Sequence, residues 1–347
     1  MMRVVRAVTD LILPMAVIAY LFVGEVRAQE MLPKAPPVPE DNPTTPEKVL
    51  LGKTLFFDPR LSFDGTVSCN SCHNVMGSGD DGRAASVGIR GQVGSRGAPT
   101  VWNAAFLTVQ FWDGRAKTLE EQAKGPLVNP IEMGMPDHQS VINRLKKISG
   151  YRELFEKAFG KKDPITIDNV AKAIAAYERT LIVPSRFDRW MAGEKNILSK
   201  KEQEGFEVMK TVGCFSCHMG PNFAGPQLPL GTGFFQKFPV YPSDYDKKYD
   251  LLSDLGRYEV TKDPNDKNRW RVPTLRNVAL TAPYFHNGKV KTLDEAVRVM
   301  GKSQLNVDLT KDQVEKIVAF LKTLNGEFPK QEMPRLPVGD GGSSVVE

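Results

Sequence analysis

The motif Cys-x-x-Cys-His occurs twice in this 347-residue sequence, and the two copies use all four cysteines of the chain. The copies are formed by Cys69, Cys72 and His73 and by Cys214, Cys217 and His218. In such a motif the two thiols add across the vinyl groups of haem, and the adjacent imidazole binds the iron from one face. A pair of redox-active dithiols or a four-cysteine zinc site is the alternative, but neither needs a histidine after each pair. The sequence therefore predicts a c-type cytochrome with two covalently attached haems.

The N-terminal segment has the pattern of an export signal. Arg3 and Arg6 precede an apolar run over residues 11–23, and residues 26–28 resemble a small-x-small cleavage site. We expect residues 1–28 to be a signal peptide and the mature protein to be periplasmic, because haem c is attached outside the bacterial cytoplasm. An uncleaved anchor is the alternative, although the run is short and contains a proline. The net charge of +5 indicates neither nucleic-acid binding nor a strongly charged partner surface.

The apolar pattern of the remaining chain is mainly helical. Residues 165–183 have helical apolar spacing with Thr166 as a candidate cap, and further helix starts are predicted after Ser199, Thr292 and Thr310. Between the helices lie long segments rich in glycine, proline and aspartate, notably residues 77–100 and 219–272. Loops of this length are excessive for a bare helical bundle, but they are reasonable if they wrap around haem.

An internal repeat indicates a duplication. Residues 98–123 match residues 272–297 without a gap, with ten of 26 positions identical, and each copy follows its own haem motif. The predicted fold is therefore mainly α, with two duplicated cytochrome c-like domains that each carry one haem and long loops. The predicted boundaries give a Pro-rich lead-in over residues 29–46, a first domain over 47–184, a second domain over 185–333 and a flexible tail over 334–347.

The residue opposite each histidine determines what each haem can do, because a filled axial position favours electron transfer and an open one allows chemistry. For the second haem we predict Met300, at the end of a helix over residues 293–299; a core methionine is the alternative. The repeat places Pro126 at the equivalent position of the first half, and His138 has the pattern of an exposed helix start. The first haem is therefore predicted to have the open site.

An open iron needs acid–base groups to act on a peroxide, which must lose one proton on binding and regain one at the departing oxygen. Gln122 and Glu132 follow the first repeat and are the candidates, although each can also be an ordinary helix-surface residue. Glu132 lies among Ile131, Met133 and Met135, and this apolar setting is expected to raise its pKa.

These residues resemble the bacterial dihaem cytochrome c peroxidases, over nearly all of the mature chain. The motifs that carry the resemblance are CNSCH, APTVWN, QFWDGRAKTLEEQAKGP, VPTLRN, TAPYFHNG and TLDEAVRVM. The resemblance implies that His73 binds a low-potential, peroxidatic haem, with Gln122 and Glu132 on the distal side and Glu132 as the acid–base residue. It also implies that His218 and Met300 bind a high-potential haem at which electrons enter.

The same resemblance assigns residues between the two halves. Trp112 is expected to lie between the haems and to help electronic coupling, or to be a packing aromatic at the domain interface. His286 is expected in the interface network near the haem propionates. One Ca²⁺ is expected between the domains, bound by backbone oxygens of Thr281 and Pro283, and a homodimer is expected.

Two positions depart from the family pattern. Many members carry a histidine 16 residues after the proximal one, which blocks the peroxidatic iron until the other haem is reduced; here that residue is Ile89. A hydrocarbon cannot bind iron, so this gating is expected to be absent unless Met76 or His138 substitutes. The second departure is Gly97, where the family usually offers an asparagine side chain to calcium.

The leading interpretation is a periplasmic peroxidase that reduces hydrogen peroxide to water. Electrons would come from a small cytochrome c or cupredoxin at the Met300 side and pass Trp112 to the iron at His73. One alternative is an enzyme that oxidises a protein or another organic substrate; the similar enzymes replace the axial methionine with tyrosine, so Met300 counts against it. The other alternative is a non-catalytic electron carrier, in which both haems would be low-spin.

Overall fold

The structure is a computed structural model that describes residues 30–339, so the predicted signal peptide lies outside the described residues. The described part is mainly helical, as predicted, and none of its helices has the length and hydropathy of a transmembrane span. Its α-helices are α1 Pro46–Phe57, α2 Cys69–Cys72, α3 Leu119–Val128, α4 His138–Lys146, α5 Ser149–Phe159, α6 Ile167–Glu178, α7 Arg186–Met191, α8 Lys200–Val212, α9 Asp244–Lys248, α10 Tyr258–Thr261, α11 Leu293–Leu305 and α12 Lys311–Thr323. Strands β1 Phe235–Lys237 and β2 Arg269–Arg271 pair antiparallel, with Phe235 opposite Arg271.

Two apolar cores organise the described chain. The first is built from residues between 51 and 183, and the second from residues between 187 and 324. A helix pair lies at the centre of each, and a glycine allows each pair to approach closely. A Cβ atom on Gly52 of α1 would lie 1.8 Å from the carbonyl oxygen of Ala173 in α6, and one on Gly205 of α8 would lie 2.0 Å from that of Lys316 in α12. Any larger side chain at Gly52 or Gly205 would push the two helices apart.

The repeated segments 98–123 and 272–297 have the same local backbone. Asn103 and Asn277 both have positive φ, 62° and 60°, and each is followed by a single 3-10 turn. The next helix of each copy begins after an equivalent threonine, Thr118 before α3 and Thr292 before α11. The identical residues of the repeat thus occupy matched conformations.

The predicted helix starts are confirmed. The hydroxyl oxygens of Thr166, Ser199, Thr292 and Thr310 each accept a hydrogen bond from a backbone N–H in the first turn of the helix that follows. The predicted end of α11 is wrong, because the helix continues from Val299 to Leu305 and Met300 lies within it. A Cβ atom on Gly301 would lie 2.8 Å from the side chain of Leu309, so this glycine permits close packing and does not end the helix.

Both ends of the described chain contact the first core or its neighbours. In the lead-in, the side-chain amide of Asn42 donates to Glu120 Oε1 at 2.7 Å. Near the C-terminus, Phe328 stacks on Trp102 with ring centroids 5.0 Å apart, and the carbonyl of Val338 accepts from the N–H of Gly150. Part of the predicted tail therefore lies against the start of α5, and residues from 340 onwards lie outside the described part. The predicted domain boundaries remain predictions.

A buried ion pair joins α7 to the second repeat. Arg276 donates from two guanidinium nitrogens to Asp188, over 2.7 and 2.8 Å, and its side chain has no exposed surface. Asp188 also accepts from the backbone N–H groups of Ser185 and Leu32. Although burial opposes it, hydrogen bonding to Arg276 lowers the pKa of Asp188. The pair therefore connects the lead-in, α7 and the VPTLRN segment.

We expect Arg276→Met to lower the free energy of unfolding by about 3–5 kcal/mol, because the substitution leaves the Asp188 carboxylate buried without its counter-ion. Chemical denaturation of the holoprotein measures this effect. The matched control is Arg189→Met, which removes the exposed pair with Glu194 and should change the midpoint little. Equal midpoints for the two variants would contradict a structural role for the buried pair.

Candidate functional site: two haem cavities

The first haem motif forms α2 and the turn that ends it. His73 caps the C-terminus of α2, and its Nδ1 lies 3.0 Å from the carbonyl oxygen of Pro99. A carbonyl can only accept, so Nδ1 carries the proton and Nε2 is available to bind iron. Burial lowers the pKa of His73, which favours the neutral form that a metal ligand requires.

The second haem motif repeats this arrangement. Cys214 begins a 3-10 turn, and the Nδ1 of His218 lies 3.0 Å from the carbonyl oxygen of Phe223. Burial lowers the pKa of His218 and raises the pKa of the Cys214 thiol to about 11. The two motifs therefore present an imidazole with the same tautomer in each half of the described chain.

Each motif opens into its own cavity, and the predicted site residues divide between the two. The wall of the first cavity includes Cys72, His73, Trp112, Gln122 and Glu132. The wall of the second includes Cys214, Cys217, His218, Thr281, Pro283, His286 and Met300, again with Trp112. Cys69 packs against the first core beside Cys72. The residues selected from the sequence are therefore brought together at two places.

Trp112 lies in the wall that the two cavities share. Its indole N–H donates to the carbonyl of Gly97 at 2.9 Å, and its own carbonyl accepts from the N–H of Arg271 at 2.9 Å. Gly97 and Arg271 also line both cavities. The bond from the indole N–H holds the ring in one orientation, and the backbone bond to Arg271 holds this segment beside β2.

Glu132 sits in the first cavity beside two polar residues that sequence reasoning missed. The amide of Asn129 donates to Glu132 Oε1 at 2.7 Å. Burial raises the pKa of Glu132, as its apolar neighbours predicted, while Arg115 opposes the rise. Arg115 is itself paired with Asp113, at 2.9 Å. Asn129 precedes Glu132 by one turn, and this spacing could have identified Asn129 from the sequence.

The first cavity offers no second axial ligand from the described chain. Within residues 30–339, its wall contains no histidine besides His73 and no methionine. Met76 is about half exposed, the Nε2 of His138 contacts the carbonyl of Lys124 at 3.1 Å, and neither residue lines the first cavity. The second cavity differs, since Met300 and Met209 both line it.

Known proteins of one family are similar to this chain. The di-haem cytochrome c peroxidase family matches this chain over residues 46–196. The cytochrome c551 peroxidase of Nitrosomonas europaea is 46% identical over 303 residues, covering 87% of this chain and 86% of that protein. The chain belongs to the di-haem cytochrome c peroxidase family.

Two further proteins are similar to this chain over most of its length. The cytochrome c551 peroxidase of Pseudomonas aeruginosa is 45% identical over 310 residues, covering 87% of each chain. The crystal structure of a MauG-like protein associated with microbial copper homeostasis is 32% identical, with a TM-score of 0.76 over 85% of this chain and 95% of its own. Membership of the di-haem cytochrome c peroxidase family confirms the predicted enzyme class and the prediction of two haem c groups.

Two side chains that line the second cavity, His286 and Arg271, are suited to bind the propionate groups of a haem. The Nε2 atom of His286 is buried without a hydrogen-bond partner in the described chain, and its ring stacks on Trp270 at 4.0 Å. The buried guanidinium of Arg271 donates, among the described residues, to the carbonyls of Phe111 and Val272. Burial lowers the pKa of His286 to about 4 and that of Arg271 to about 10. Because the buried Arg271 cation needs a counter-ion and the buried Nε2 of neutral His286 needs a hydrogen-bond partner, haem propionates are suitable partners for both side chains.

The predicted calcium site has fewer oxygen donors among the described residues than Ca²⁺ usually takes. Thr281, Pro283 and Gly97 all line the second cavity. Gly97 has no side-chain oxygen, and its carbonyl already accepts the indole N–H of Trp112. Among the described residues there is no group of three or more His, Cys, Asp or Glu side chains that could hold a metal ion. Because Ca²⁺ takes six to eight oxygen ligands, the backbone oxygens alone form an incomplete set, and calcium stays a prediction.

Proposed function

We propose that this chain reduces hydrogen peroxide to water in the periplasm, with two electrons supplied singly by a small cytochrome c or cupredoxin. The observation that carries the proposal is the first cavity, where Gln122 and Glu132 share a wall with His73 and no second axial ligand from residues 30–339 lines that wall. A haem bound at His73 supplies the redox chemistry, and the protein supplies the proton transfers. The test is peroxide consumption by the holoprotein with a reduced monohaem cytochrome c as donor.

Glu132 is the proton carrier in this proposal. Its carboxylate accepts the proton that peroxide loses on binding and returns a proton to the departing oxygen, which leaves as water. The raised pKa brings the carboxyl closer to the working pH, where a group can both accept and donate. The hydrogen bond from Asn129 fixes one carboxylate oxygen, and the amide of Gln122 is available to orient the substrate.

We further propose that the first haem is accessible without prior reduction. Ile89 is buried in the first core, and its N–H donates to the carbonyl of Glu132 at 2.9 Å. A Cβ atom on Gly134 would lie 2.1 Å from the Cδ1 of Ile89, so the isoleucine fills the space beneath the Glu132 turn. This packing supports a loop that holds Glu132 in place and brings no ligand to the iron.

Electron entry is assigned to the second cavity, with His218 and Met300 as ligands and Trp112 between the two sites. We expect Met300→His to keep the second haem six-coordinate but to lower its reduction potential, because imidazole stabilises ferric iron more than thioether sulfur does. Spectroelectrochemistry of the holoprotein measures the potential. Met209→Leu is the matched control and should leave it unchanged. An unaltered spectrum and potential in Met300→His would show that Met300 is not the ligand.

Two other functions remain distinguishable by experiment. A non-catalytic electron carrier would show two low-spin haems and no peroxide consumption. An enzyme acting on a protein or organic substrate would oxidise that substrate with peroxide but turn over slowly with a small electron donor. The peroxidase is supported because the chain is 46% and 45% identical to proteins named cytochrome c551 peroxidase and only 32% identical to the MauG-like protein. The proposed homodimer is testable by sedimentation of the holoprotein.

A further inference from the structure

Glu178 has a buried carboxyl group that the mechanism proposed for Glu132 does not use. It is the last residue of α6, is 6% exposed and lines the first cavity together with Cys72 and His73. Its Oε2 atom is buried and has no hydrogen-bond partner in the described part of the chain. A buried carboxylate without a donor is costly, so the neutral acid is the favoured form.

The charged groups around Glu178 explain why no cation neutralises it. Arg179, its neighbour, donates to Glu120 of α3 at 2.7 Å and is therefore already paired. Glu120 also accepts from Asn42, and Lys48 of α1 donates to Asn42 at 3.0 Å. The positive charge of Arg179 is thus shared with another carboxylate. Burial raises the pKa of Glu178 to about 8; the charge of Arg179 lowers this pKa, and the charge of Glu120 raises it.

Glu178 lines the first cavity, and its charge acts on the thiol of Cys69, the first cysteine of the motif. The carboxylates that act on His73 are Asp80 and Asp81. Glu132 lines the same cavity with other partners: burial raises its pKa, and Arg115 and the amide of Asn129 lower it. The first cavity therefore contains two carboxyls with different surroundings.

The chemistry of peroxide reduction requires such a second group. Glu132 returns to the leaving oxygen the proton that it took from peroxide, so its cycle supplies no net proton. Reduction of one peroxide to two waters consumes two electrons and two protons, and these protons must enter the site. We propose that Glu178 holds a proton at the edge of the first haem and couples electron uptake there to proton uptake.

This inference rests on the proposed function for its purpose, but its test needs no peroxide. When the haem gains an electron its net charge becomes more negative, and Glu178 binds a proton more tightly. Between the pKa values of the oxidised and reduced states, each electron is therefore accompanied by a proton, and the potential falls as pH rises.

The experiment is a pH series of the reduction potential of the first haem, by spectroelectrochemistry of the holoprotein and of Glu178→Gln. We expect the wild-type potential to fall as pH rises above about 8, the pKa to which burial raises Glu178, and the fall to be lost or much reduced in the variant, which cannot ionise. Glu121→Gln, at an exposed position of α3, is the control and should keep the wild-type slope. Equal slopes in Glu178→Gln and the wild type would overturn the proposal.

A second measurement on the unaltered protein guards against a variant that does not fold. The infrared difference spectrum between oxidised and reduced protein should contain the C=O band of a protonated carboxyl, with a shift in D₂O. Absence of any such band would also overturn the proposal. Neither measurement depends on turnover, so an inactive enzyme with a pH-dependent first potential would reject the peroxidase and keep the role of Glu178.

Discussion

Glu132→Gln is expected to lower peroxide turnover by at least about 10²-fold, the usual scale for a lost acid–base group. The glutamine amide keeps the size of the side chain but cannot accept the peroxide proton. Steady-state peroxide consumption with a saturating reduced donor measures the loss. Both haem spectra should be unchanged, because Glu132 is expected to contact neither iron ligand.

The pH profile provides a second signature of Glu132. Only the ionised carboxylate accepts a proton, and burial raises its pKa. The kcat/KM for peroxide should therefore rise as pH increases through this raised pKa and be lost below it, whereas Glu132→Gln should lack that limb. The matched control is Glu121→Gln, since Glu121 only accepts from the backbone N–H of Lys117. Normal turnover in Glu132→Gln would remove this residue from the mechanism.

Ile89→His should convert the resting enzyme into a gated one. The imidazole introduces an iron ligand on the loop that contacts the Glu132 turn, and it is poorly accommodated in the apolar site that isoleucine fills. We expect turnover of the fully oxidised variant to fall by about 10²-fold and to recover once one electron has reduced the second haem. Assays before and after stoichiometric reduction measure the effect.

A conservative substitution separates gating from packing. Ile89→Val removes one methyl group, which should cost about 0.5–1.5 kcal/mol of stability and leave immediate turnover intact. If Ile89→His stays high-spin at the first haem and remains fully active when oxidised, the position does not control access to the iron.

Features that depend on local sequence could be predicted. The haem motifs and the capping residues at Thr166 and Thr292 act within one helical turn, so their positions in the chain determine their contacts. The end of α11 could not be predicted in this way. Gly301 has the pattern of a helix end, but it allows the close packing of Leu309, which folds back on α11 from the segment between α11 and α12.

The residues of the candidate site divide in the same way, into those that their neighbours in sequence identify and those that depend on the fold. Glu132 could be selected because its neighbours in sequence are apolar, whereas the importance of Arg271 depends on its burial between two cavities. Glu178 was missed for a related reason, since a glutamate before an arginine has the pattern of a helix surface. One signal was present: Glu178 follows Val170 and Ile174 at intervals of four, on the apolar face of α6.

Low-temperature EPR of the as-isolated, fully oxidised protein, followed by a peroxide assay without prior reduction, tests the central claim most directly. An open first haem predicts one high-spin and one low-spin ferric signal with immediate turnover. Two low-spin signals and no turnover until an electron is added would contradict the claim, because a ligand from this chain would then block the iron at His73.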